Sequence, residues 1–343
     1  MKCRKTYDAI DNFRLVAAAL IVAIHTAPLA SFSDTADFLV TYCFGRIGVP
    51  FFLMVTGFFV LSPYQRSRQS ASGRGSQGIW KFLGKTAILY VVSTLLYFPL
   101  KIYSQNMKGD VGGWLKEIFF DGTFYHLWYL PAVILGCLLL VGLLQICNPP
   151  TISILTFVLY ILGVLGDSYY HLVSQIPFVK AMYNGIFAIS SYTRNGIFFA
   201  PLFLWMGVLI ANGKVRMERR QARIGFLISL AGMLLEGFVS YLFEWQKHNS
   251  MYVLLIPVMF FLFEWLLASD GMEIDIVRDL SMYIYILHPL CIVLVRGAAG
   301  ALKITKILVD QSLVHYLAVV AASVILSLVV VEIKLLYRRW SNV

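Results

Sequence analysis

The stretch RLVAAALIVAIH, residues 14–25, places an arginine and a histidine at the two ends of ten apolar residues. Flanked by DNF and TAPLA, it reads as the start of a membrane-crossing helix over 12–30, an environment where charge is expensive. Eleven steps of about 100° make about 1100°, within about 20° of three full turns. Arg14 and His25 therefore share one helix face, about 16 Å apart at about 1.5 Å per residue. That reading puts Arg14 at the cytoplasmic end and His25 just beyond the middle of the span. An arginine alone at such an end is often a snorkelling anchor, and a lone buried histidine is often bonded within the core. Two ionisable groups on one face point instead to a cavity or pathway.

Composition sets the compartment. Of 343 residues, 59% are hydrophobic and 13% charged, with a mean hydropathy of +0.76. Soluble domains carry about 25% charged residues, so the chain reads as an integral membrane protein. The net charge of +10 sits between apolar runs, as membrane orientation requires, and implies no nucleic-acid partner. Cys3, Cys43, Cys137, Cys147 and Cys291 show no CxxC spacing; neither a disulfide framework nor a metal site is expected. Lys2, Arg4 and Lys5 before an apolar core and APLAS imitate a signal peptide. Asp8, Asp11 and Arg14 interrupt the approach, which favours a retained first helix.

Runs able to span a bilayer need about 17–25 mostly apolar residues. They fall at 12–30, 44–62, 82–101, 126–147, 151–166, 195–211, 223–243, 250–269, 279–298 and 312–337. The expected fold is all-α: a polytopic bundle of about ten transmembrane helices forming a single domain over 1–343. Of 28 Lys and Arg, 17 fall on one side, among them Arg66, Arg68, Lys81, Lys85, Arg219, Arg220 and Arg338. Both termini are then cytoplasmic, in a plasma membrane. Two outer segments, 102–125 and 167–194, are long enough to cover the outer face as lids or partial helices. Residues 66–78 contain a GxGxxG at Gly73, Gly75 and Gly78, but no strand precedes it and a flexible basic loop is expected.

Other polar residues at depth are few. His288 lies in SMYIYILHPL, before Pro289; Glu236 falls near the middle of the seventh run and Glu264 in the inner half of the eighth. Arg46, in GRIGVPFF, marks the outer end of the second run, and Arg194 and Asn195, in YTRNGIFF, begin the sixth. A carboxylate at mid-depth is costly alone, so Glu236 calls for a partner or a substrate.

IDNFRLVAAALIVAIHT, with its R-x10-H, resembles the first helix of the acyltransferase-3 membrane proteins, and GRIGVPFFLMVTGFFVL is similar to their second. HLWYLPAVILG and SMYIYILHPL match the fourth and ninth, so the resemblance covers the whole chain. AIHTAPL and TRNGIFFAPLF are most similar to the membrane domain of vancomycin-resistance serine racemases, which carry a soluble racemase domain after the last helix. Here the sequence ends at YRRWSNV, so no pyridoxal-phosphate domain is expected in this chain.

The resemblance implies transfer of an acyl group, usually acetyl from acetyl-CoA, to a hydroxyl or amine acceptor at the membrane or in the cell envelope. Arg14 would bind the phosphate-bearing donor from the cytoplasm, and His25 would be the general base. Arg46, Glu236, His288, Arg194 and Asn195 are then candidates for holding the acceptor. The same resemblance offers a second function, L-serine uptake or supply alongside a racemase domain or protein, with Arg46, Glu236 and His288 as solute ligands. The H-x4-D pattern of another acyltransferase class follows none of the six histidines.

Overall fold

The computed structural model describes residues 7–69, 74–104, 110–213 and 216–341. Gly73 of the GxGxxG pattern, Cys3 and the charges Lys2, Arg4, Lys5 and Lys214 lie outside them. Among the described residues all regular structure is helical. Ten helices carry the ten apolar runs. They are α1 (Asp8–Thr26), α2 (the irregular run Asp34–Arg68), α3 (Arg74–Tyr103), α4 (Tyr129–Ile146) and α5 (Pro149–Leu165). The second five are α6 (Ala200–Asn212), α7 (Arg219–Leu242), α8 (Leu255–Leu267), α9 (Val277–Ala301) and α10 (Ser312–Ser341). Seven are long and apolar enough to cross a bilayer, whereas α5, α6 and α8 are shorter, at 17, 13 and 13 residues. A 13-residue helix is about 20 Å long, less than the ~30 Å hydrocarbon layer.

Exposure confirms the solvent these helices are built for. On α3, Ile88, Val91, Val92 and Leu95 form an exposed apolar stripe at helical spacing, and on α10 Ile325, Leu328, Val329 and Ile333 form another. In water such stripes would face a core; outward-facing, they suit lipid. The chain is thus an all-helical, polytopic membrane protein. GxGxxG belongs to no nucleotide loop: Gly75 and Gly78 lie in the first turns of α3, so that half of the expected loop is helical.

The contacts divide the chain into two compact units. The first comprises Met1–Val49, Met217–Leu234 and Pro257–Val343. Its core joins Ala18 and Val22 of α1 to Leu280, Ile284, Cys291, Ile292 and Val295 of α9 and Val319 of α10. Alanines on α1 let its neighbours approach closely: a Cβ on Gly48 would stand 3.0 Å from the Ala17 carbonyl oxygen. α1 ends earlier than the 12–30 run because Ala27 is left-handed at φ 49° and Pro28 follows. His25 therefore occupies the last turn of α1 rather than its middle.

The second unit comprises Pro50–Arg216 and Leu235–Ile256. A Cβ on Gly57 would come 1.9 Å from the Leu204 carbonyl oxygen, and one on Gly207 2.2 Å from that of Met54. Only glycine allows α2 and α6 to meet this closely, which explains the Thr-Gly pair and the Met-Gly step in sequence. Two π-helical turns, Leu39–Cys43 and Gly57–Leu61, each insert a residue into α2. The long segments 102–125 and 167–194 are partly helical, at 111–121, Tyr170–Val173 and Pro177–Ile189. The first is tied down by a buried Lys101–Glu117 ion pair, with the ammonium 4.7 Å from the Trp114 ring centre.

Gly207→Ala is expected to cost about 1–3 kcal/mol by overpacking. Thermal unfolding in detergent should show a lowered midpoint, while Gly84→Ala, with nothing within 4 Å of its new methyl, should not.

Candidate functional site

The first unit holds Arg14, His25, Arg46 and His288. Arg14 sits two turns into α1, where its Nε donates to Asp11 Oδ1 at 2.8 Å, one turn back on the same helix. Asp11 also receives Arg278 of α9, whose Nη2 lies 2.7 Å from Oδ2 and whose Nε lies 3.1 Å from it. One carboxylate thus serves two guanidinium groups, and the Asp8 charge also acts on Arg278. Arg278 is 65% exposed, whereas Arg14 and Asp11 are 16% exposed. Asp11 was legible as a partner, since residues three apart on a helix meet. Arg278, 267 positions away, was not.

At the other end of α1, the half-buried His25 ring stacks on His288 of α9, with centroids 5.1 Å apart and planes 23° from parallel. His288 is fully buried. Its Nδ1 lies 2.8 Å from the Tyr285 carbonyl oxygen and 3.2 Å from that of Ile284. The fold therefore joins two of the expected site residues from opposite ends of the sequence. Arg46 is half-buried, with its guanidinium 5.2 Å from the Tyr42 ring centre. Glu264, also in this unit, is buried and accepts from the Met217 N–H at 3.5 Å.

The second unit holds Glu236, Arg194 and Asn195. Glu236 has the partner that its depth demands: it accepts from Tyr169 Oη at 2.8 Å and from the N–H groups of Val253 and Leu254 at 2.7 and 2.8 Å. Those amides stand at the approach to α8, so the carboxylate ties α7 to that turn. Burial, followed by the Glu236 charge, raises the Tyr169 phenol well above its ordinary range, and it remains a donor. Asn195 uses its whole amide locally, donating to Ser190 Oγ and the Tyr192 carbonyl and accepting from the N–H groups of Ile197 and Phe198. It holds the entry to α6. Arg194 is clasped by rings, 4.4 Å from Tyr192 and 5.2 Å from Trp128, with Ser250 Oγ 3.5 Å from Nη1 and His248 against Tyr192. Among the described residues no His, Cys, Asp and Glu cluster has the make-up of a metal site.

These bonds make Glu236 a structural anchor whose loss is measurable. Glu236→Gln turns one acceptor into a donor facing donors and is expected to cost about 1–3 kcal/mol. Tyr169→Phe, which removes one bond and leaves the amides satisfied, should cost about 1 kcal/mol. Detergent melts of the two variants check the order.

Comparison with known proteins adds the family. A family model described as an acyltransferase domain, of the acyltransferase-3 type, matches residues 7–332. Two proteins of Enterococcus faecalis named amino-acid racemase are 39% and 36% identical over 336 and 331 residues. A serine/alanine racemase of Enterococcus gallinarum is 35% identical over 318. The alignments cover 96%, 95% and 92% of this chain but 46%, 46% and 44% of those proteins, so the chain spans less than half of their length. No solved structure matches. With the match running through α1, α9 and the first 21 of the 30 residues of α10, the chain belongs to the acyltransferase-3 family.

Proposed function

We propose that the protein is a plasma-membrane acyltransferase, with ten crossings and both termini in the cytoplasm, that moves an acetyl group from acetyl-CoA to a hydroxyl or amine at the membrane or its outer face. The observation that carries this reading is one helix face with Arg14 two turns into α1 and His25 in its last turn. Arg14 and Arg278, which meet at Asp11, offer guanidinium N–H donors to the donor's phosphates. An extended pantetheine arm has about 16 Å to cover between Arg14 and His25.

At His25 the imidazole takes the proton of the acceptor O–H or N–H as the acceptor attacks the thioester carbonyl. The new O–C or N–C bond forms, the C–S bond breaks, and the proton passes from the imidazolium to the CoA thiolate. The acceptor is a small molecule or cell-envelope group, with Arg46, in the same unit as His25, as a candidate for its recognition. The bilayer is the other obligatory partner. No metal or pyridoxal phosphate enters this scheme, and a racemase domain or protein is its expected companion.

A second reading is supply of L-serine across the membrane, favoured by the racemase names of the relatives. The two are separated by what each needs. Acetyl-CoA should raise the thermal midpoint of the wild-type protein, and Arg14→Ala should abolish that rise. His25→Ala should remain folded and lose about 10²–10⁴-fold in transfer rate. Normal transfer by His25→Ala, or CoA-independent uptake of radiolabelled L-serine into proteoliposomes with no transfer, would overturn the enzymatic reading.

A further inference from the structure

His288 contributes no surface: it is fully buried in α9, and the next residue of that helix is proline. Proline has no N–H, so the carbonyl four residues before Pro289 lacks its ordinary helical donor. That carbonyl belongs to Tyr285, and it is the oxygen that His288 Nδ1 reaches at 2.8 Å. Carbonyl oxygens only accept, so Nδ1 carries the ring proton and donates it, with a second, longer contact to Ile284 at 3.2 Å. The His-Pro step therefore fixes one tautomer, leaving the lone pair on Nε2, and pins the ring to the backbone of α9.

On that pinned ring lies His25. The planes are 23° from parallel with centroids 5.1 Å apart, an offset stack in which one ring supports the other. A ring held on one face has fewer orientations to search, and small misplacements of a catalytic base are costly, up to about 10²-fold per ångström.

We propose that His288 is the positioning residue for His25: its face orients the His25 imidazole and supports the imidazolium formed when that ring takes a proton. The inference rests on the acyl-transfer reading for its chemistry, but the stack and the tautomer do not depend on it. The role asks for a flat ring at position 288, held in place by its Nδ1–H bond to the Tyr285 carbonyl.

The experiment uses the full chain in detergent or nanodiscs, with 15N- and 13C-labelled histidine. Signals of His25 and His288 are assigned by their loss in His25→Ala and His288→Phe. Without any substrate, the His288 nitrogen shifts should report the Nδ1–H tautomer. The His25 ring protons should carry a ring-current shift that persists in His288→Phe and vanishes in His288→Ala. In the transfer assay, His288→Ala should lower kcat by at least about tenfold with KM for both substrates within about twofold. His288→Phe, which keeps a flat ring but loses the tether, should recover at least about threefold of the activity lost in His288→Ala. An Nε2–H tautomer, or a His25 ring shift unchanged in His288→Ala, overturns the stack. Equal losses in the Ala and Phe variants, or a raised acceptor KM at constant kcat, overturn the positioning role. Absence of transfer in the wild type overturns the function reading, and the substrate-free spectra then decide the stack alone.

Discussion

An apolar surrounding gives a polar side chain no water to bond with, so each one must be met by another protein group. That constraint organises both units of this protein. Asp11 meets two arginines, Glu236 meets two backbone amides and a phenol, and Lys101 meets Glu117. His288 meets a carbonyl that a proline has left over. Each pairing joins separate turns or helices, so the cost of placing a polar group at depth is offset by a defined geometry. The glycines do the complementary work, bringing backbones together where no side chain is tolerated.

The arginine end of α1 has a further electrostatic property. With one carboxylate between two guanidinium groups, Asp11 keeps Arg14 in place. An anionic ligand there meets an ordered arginine, so less side-chain entropy is lost on binding. The more exposed Arg278 is free to reorganise at smaller cost. The imidazole end is built on the opposite plan, with ring packing and backbone bonds in place of charge.

Sequence pattern carried much of this. The ten apolar runs correspond to ten helices, and the R-x10-H spacing put Arg14 and His25 on one face of α1. The apolar count could not register where α1 ends, because Pro28, Leu29 and Ala30 extend the hydrophobic run past a left-handed Ala27. Nor could it show the early start of α2 at Asp34, since polar residues and one π turn precede the run that hydropathy detects. The demand for a partner at Glu236 follows from depth alone, but Tyr169 and the Val253–Leu254 turn come from distant parts of the chain. The meeting of His25 with His288 is of the same kind: each helix is readable, their register is not. Asn195 illustrates the reverse, a polar residue whose whole hydrogen-bonding capacity is spent within five positions of itself.

The His288–Pro289 step makes an apparently beneficial repair into a loss. Pro289 in mid-helix ordinarily counts as a defect, and replacement by alanine restores a donor to a broken ladder. Here the restored N–H would compete for the Tyr285 carbonyl that anchors His288, and the ring beneath His25 would lose its tether. Selection for a more stable α9 and selection for an ordered His25 pull on that one position in opposite directions.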